Sequence, residues 1–168
     1  MSKETKNAIP EGFTLSMVLV DALPVIFFSI AYIIMALNFP SPLFIIGAIA
    51  CAAAGLCKVL WKLIVVVSKK NIPILAKQMR ILMPAGFLLM IVGLIVDRRL
   101  VSFPAIWAGI TGMPAVIFFV LGVLGMGAMG VLASKLDSSS AKANWIEQLT
   151  NTFAQGCILL GVICAFYC

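Results

Sequence analysis

Four polar side chains set inside long apolar runs are the residues of this sequence best placed to do chemistry: Asp21, Lys58, Asn151 and Gln155. An ionisable group within a membrane span is costly to solvate and marks a functional site by default. Counted from the ends of their apolar runs, Asp21 and Lys58 are expected roughly 12–14 Å deep, on the same side of a bilayer. Asn151 and Gln155 follow Glu147 at steps of four and therefore share one helix face with it. An acid and a base at matched depth, with two amides nearby, predict a polar pocket open to the cytoplasm. Such a pocket suits an ion or a small anionic or zwitterionic solute.

Each of these residues also has a plainer role. Asp21 and Lys58 can neutralise one another as a structural pair. Lys58, Trp61 and Lys62 can form an interfacial belt whose lysines reach up to headgroups. Asn151 and Gln155 can be hydrogen-bonded glue between helices, on the order of 1 kcal/mol each. Glu147 stands three residues after Asn144, which is the spacing of a helix-starting capping box.

Several kinds of chemistry are disfavoured. The sequence has no histidine, the commonest general base and metal ligand, and only six acidic residues. No enzymatic activity, metal or cofactor is expected. Gly125-Met126-Gly127-Ala128-Met129-Gly130 matches GxGxxG in spelling. A dinucleotide fingerprint needs a strand before it and a helix N-terminus after it, whereas this one lies within an apolar run and is expected to pack helices. The five cysteines, Cys51, Cys57, Cys157, Cys164 and Cys168, contain no CxxC pair. They are read as small apolar residues, although Cys164 and Cys168 at the chain's far end could oxidise or take a soft metal.

The elements that must position these residues follow from composition. Of 168 residues, 63% are hydrophobic and 11% charged, and the mean hydropathy is +1.17. A bilayer core about 30 Å thick needs roughly 20 apolar helical residues to cross it. Five such stretches are present: Phe13–Leu37, Leu43–Val67, Lys77–Val96, Met113–Ser134 and Trp145–Cys168. The predicted fold is therefore an all-α polytopic integral membrane protein with a polar N-terminal segment (1–12) and a single transmembrane domain (13–168). The segment 101–112 could lie on the surface, re-enter, begin a long fourth helix or cross as a sixth span.

Lys3, Lys6, Lys69, Lys70, Lys77, Arg80, Lys135 and Lys142 fall on one side of these spans, against Arg98 and Arg99 on the other. The positive-inside rule then places the N-terminus in the cytoplasm, and the plasma membrane is the expected location. The net charge of +6 reports topology, not nucleic-acid binding. Small residues mark close helix contacts in lipid. Gly47, Cys51, Ala54, Gly55, Lys58 and Lys62 share one face of the second span, and Gly122, Gly125, Gly127, Ala128 and Gly130 line the fourth. Pro24, Pro84 and Pro114 are expected inside helices. Leu23–Phe28 and Met113–Phe119 look alike and hint at a repeat. The expected function is a small transport or permeation component, surrounded by membrane lipids and acting as a homo-oligomer or with a partner membrane subunit. The alternative is a non-catalytic subunit that docks partner helices.

Overall fold

A computed structural model describes residues 14–100, 102–135 and 141–168. The N-terminal segment, with Lys3, Lys6, Glu4 and Glu11, lies outside the described residues, as does Asp137. The described residues are 90% helix without strands, in the order α1 (Leu15–Asn38), α2 (Pro42–Ser68), α3 (Pro73–Lys77), α4 (Met79–Val96), α5 (Phe103–Thr111), α6 (Ala115–Lys135) and α7 (Ala141–Tyr167). Among the described residues five helical segments are long and apolar enough to cross a membrane: α1, α2, α3 with α4, α6 and α7. These are the five spans expected from hydropathy.

Local chemistry sets the helix ends. Thr14 caps α1, its hydroxyl accepting from the Met17 amide at 3.3 Å. Ser41 does the same for α2 through the Phe44 amide at 3.2 Å, with Pro42 in the first turn where its missing N–H is harmless. At the other end α2 stops at Lys69, which takes the left-handed conformation (φ 51°) that usually falls to glycine. Asp97, just beyond α4, accepts a 2.5 Å hydrogen bond from the Ser41 hydroxyl. The α1–α2 turn is thereby tied to the end of α4.

The spans stand in a row, not a ring. Among the described residues contacts run α4–α2–α1–α7–α6, with α5 resting on α7 and α6, and α4 does not touch α6. Two seams hold the ends of this row through missing side chains. A Cβ added at Gly86 would sit 2.7 Å from the Gly47 carbonyl oxygen on α2, and one at Gly93 would sit 2.7 Å from the Phe44 amide nitrogen. On the other side, a Cβ at Gly122 would meet Ile158 at 2.6 Å and one at Gly125 would meet Ala154 at 2.8 Å. Such approach lets backbones pack where lipid supplies no hydrophobic drive between helices.

Several finer expectations change. Segment 101–112 is largely the nine-residue α5, roughly 14 Å long and too short to cross. Pro24 and Pro84 lie inside helices, but Pro114 precedes α6, so Met113–Phe119 sits at a helix start whereas Leu23–Phe28 lies within α1. The expected stripe on α2 is buried from Gly47 to Lys62 with Lys58 half-buried. Of the glycines expected to line α6, Gly122 and Gly125 meet α7. Ala128 is exposed, and a Cβ at Gly127 or Gly130 would meet nothing within 4 Å. The GxGxxG thus lies within one continuous helix, but only its first glycine packs. α7 begins at Ala141, so Glu147 is well inside the helix and is not a cap.

Candidate functional site

One charged junction joins three helices. Lys62 of α2 places its Nζ 2.9 Å from Asp21 Oδ2 of α1. With its amide oriented so that each atom meets a suitable partner, Gln148 of α7 accepts from Lys62 Nζ at 3.0 Å and donates to the Met17 carbonyl of α1 at 3.0 Å. Asp21, Lys62 and Gln148 expose only 6%, 5% and 4% of their surfaces. A second bond lies one turn along α7 from Gln148, where the Thr152 hydroxyl donates to the Val20 carbonyl at 3.5 Å. Lys58 and Glu147 stand close enough for their charges to act on Lys62. The neighbourhood therefore holds two ammonium groups and two carboxylates.

The depths of the three residues explain why they meet. Asp21 lies six residues past Leu15 and Lys62 six before Ser68, while Gln148 is seven past Ala141. At 1.5 Å per residue each is roughly 9–11 Å from the same end of the row. The cluster can form because α1 is flanked by both α2 and α7. Gly55 supports that approach, since a Cβ there would meet Phe28 at 2.8 Å and Val25 at 3.0 Å.

The four residues singled out by sequence are not gathered in one place. Asp21 is in the junction, but the lysine that pairs with it is Lys62, one turn from Lys58. Gln155 faces α6, with its Nε2 3.4 Å from Met126 Sδ. Asn151, one turn from Gln155 on the same α7 stripe, is half-buried and lies outside the Asp21–Lys62–Gln148 bonds. α7 thus carries two polar stripes: Gln148 and Thr152 face α1, while Gln155 faces α6. The first was missed because Gln148 sits beside Glu147, whose spacing resembled a cap.

A groove of about 360 Å³ runs between α1 and α2 past Ser29, Tyr32, Ala48 and Ala52. It is apolar and does not include the charged junction. Among the described residues no group of three or more His, Cys, Asp or Glu could hold a metal ion. Arrangement and site together define a class: a helical protein with, among the described residues, five helices long and apolar enough to cross a membrane and a buried charged junction between three of them. Comparison with family models, curated proteins and solved structures found no match to this chain.

Proposed function

We propose that this chain is a small transport or permeation component of the plasma membrane, with its N-terminus in the cytoplasm. The observation that carries the reading is the buried Asp21–Lys62–Gln148 junction. A charge pair inside a span is expensive, and apolar residues of similar volume would hold three helices together as well or better. A solute carboxylate or other small anion would replace Asp21 on Lys62, with the Gln148 amide and nearby Lys58 as further donors. In this mechanism the pair parts and re-forms as solute arrives and leaves. The orientation is supported by Lys69, Lys70, Lys77, Arg80, Lys135 and Lys142 at the junction's end of the row, against Arg98 and Arg99 at the other. A row of helices does not enclose a path by itself, so the working unit is a homo-oligomer or includes a partner membrane subunit. The test is uptake of a panel of carboxylates and amino acids into vesicles holding the purified protein. Asp21→Asn and Lys62→Met each abolish flux while preserving helix content, and normal flux in both variants would overturn the reading.

The near-complete burial of the junction favours a second reading, in which the pair is a structural lock and the chain is a non-catalytic subunit. Its outward faces on α4 and α6 would then dock partner helices. A stable complex with another membrane protein, recovered equally with wild type and with the charge variants, supports this second reading over the first.

A further inference from the structure

Four basic side chains surround the corner where α2 turns into α3. Lys69 and Lys70 begin the connection after α2, Lys77 ends α3, and Arg80 lies in the first turn of α4. All four are exposed. The corner is pinned, since the Trp61 indole N–H donates to the Asn71 side-chain oxygen at 3.0 Å. Lys69 holds the left-handed conformation (φ 51°) that glycine would take more easily, so a side chain is kept there at a backbone cost.

Among the described residues no acid balances them. The described side-chain carboxylates are Asp21, Glu147 and Asp97. Asp21 pairs with Lys62, Glu147 acts on the same lysine, and Asp97 binds Ser41 at the other end of the spans. No salt bridge among the described residues reaches Lys69, Lys70, Lys77 or Arg80. The same corner has an apolar outward side. Ile74 and Ile81 expose 73% and 76% of their surfaces, and spacings of three and four place Lys77 between them on one side of the α3–α4 segment. Counted from Pro73, Lys77 and Arg80 lie roughly 6 and 10 Å along that segment, so side chains of their length reach the headgroup level.

We propose that this corner binds the phosphate headgroup of an anionic phospholipid in the leaflet it faces. Lys69 and Lys70 meet the phosphate from the aqueous side. Lys77 and Arg80 extend up to it from the acyl region, and Ile74 and Ile81 lie against the chains. Unbalanced cations beside exposed isoleucines match an amphiphilic anion better than a free one, because the charges hold the headgroup while the apolar strip holds the tail. A second basic pair at the same end of the spans, Lys135 and Lys142, lies on α6 and α7, away from this corner. The proposal needs the spans to lie in a membrane; transport through the charged junction plays no part in it.

The probe is a bilayer nanodisc of phosphatidylcholine with a minor share of phosphatidylglycerol. The full chain is extracted from it in mild detergent, and the lipids it retains are counted by native mass spectrometry. Wild type keeps phosphatidylglycerol in excess of its share in the bilayer. Lys69→Gln with Lys70→Gln, and Lys77→Gln with Arg80→Gln, each lower that preference by roughly fivefold per cation removed. Lys135→Gln with Lys142→Gln removes equal charge at the same end of the spans and keeps the preference. Circular dichroism checks that each variant retains its helix content. No preference in wild type, or an equal loss in the Lys135 and Lys142 variant, overturns the proposal, as does displacement of the retained lipid by inorganic phosphate. The wild-type measurements alone can refute it, so the test does not depend on the variants folding.

Discussion

The two ways this molecule joins its helices make an instructive contrast. At the α2–α4 and α6–α7 seams the contact is made by what is missing: glycines let backbone meet backbone, as where Gly47 faces Gly86. At the α1–α2–α7 junction it is made by groups that a lipid environment disfavours, an acid, a base and an amide. The seams are simple packing, sensitive to added volume and indifferent to charge. The junction is sensitive to charge balance. A region that helices need only for cohesion would resemble the seams, so the junction is where a role beyond cohesion is to be sought.

This contrast can be broken or sharpened by substitution, with unfolding free energy in micelles as the common readout. Lys62→Met should have the largest effect, about 3–5 kcal/mol, because it leaves Asp21 buried without its cation. Adding Asp21→Leu to that variant should recover most of the loss, since an apolar pair of similar volume is often neutral or better. A double variant as unstable as the single one would mean that volume, not charge, governs the junction. Gly47→Ala should cost about 1–3 kcal/mol, because its Cβ would collide with the Gly86 carbonyl and Met90 amide of α4 as well as with the Met90 side chain. Ser41→Ala, which removes both the cap of α2 and the bond to Asp97, should cost about 2 kcal/mol. Gly127→Ala should be the mildest: with open space around it, the gain in helix propensity stabilises by up to about 1 kcal/mol. Destabilisation at Gly127 would point instead to a close partner on that face of α6.

Most of the architecture was legible in the sequence, because span length and apolarity are read directly from residues. The buried stripe on α2 was legible too, since 100° per residue places Gly47, Cys51, Ala54, Gly55 and Lys62 together. The identity of the paired lysine was not. Lys58 and Lys62 share that stripe, so helical angle does not choose between them and only depth does. Placing the start of α1 at Phe13 and the end of α2 at Val67 shifted the matched depth toward Lys58. With Leu15 and Ser68 as the ends, the equal six-residue spacing selects Lys62. Gln148 was hidden by a different error, a capping spacing at Asn144–Glu147 inside a helix that begins earlier, at Ala141. The row itself left no mark in periodicity, because which spans become neighbours depends on pairwise fit between faces.

Because α1 alone bridges the two halves of the row, the order of synthesis matters. A nascent chain delivers Asp21 first, receives its counter-ion only when α2 emerges, and waits for α7, made after α4 and α6, to close the amide over both. Until then the first helix is held with one flank bare. Truncation before Ala141 should therefore yield a protein whose α2–α4 hairpin is sound but whose first helix is a substrate for membrane quality control.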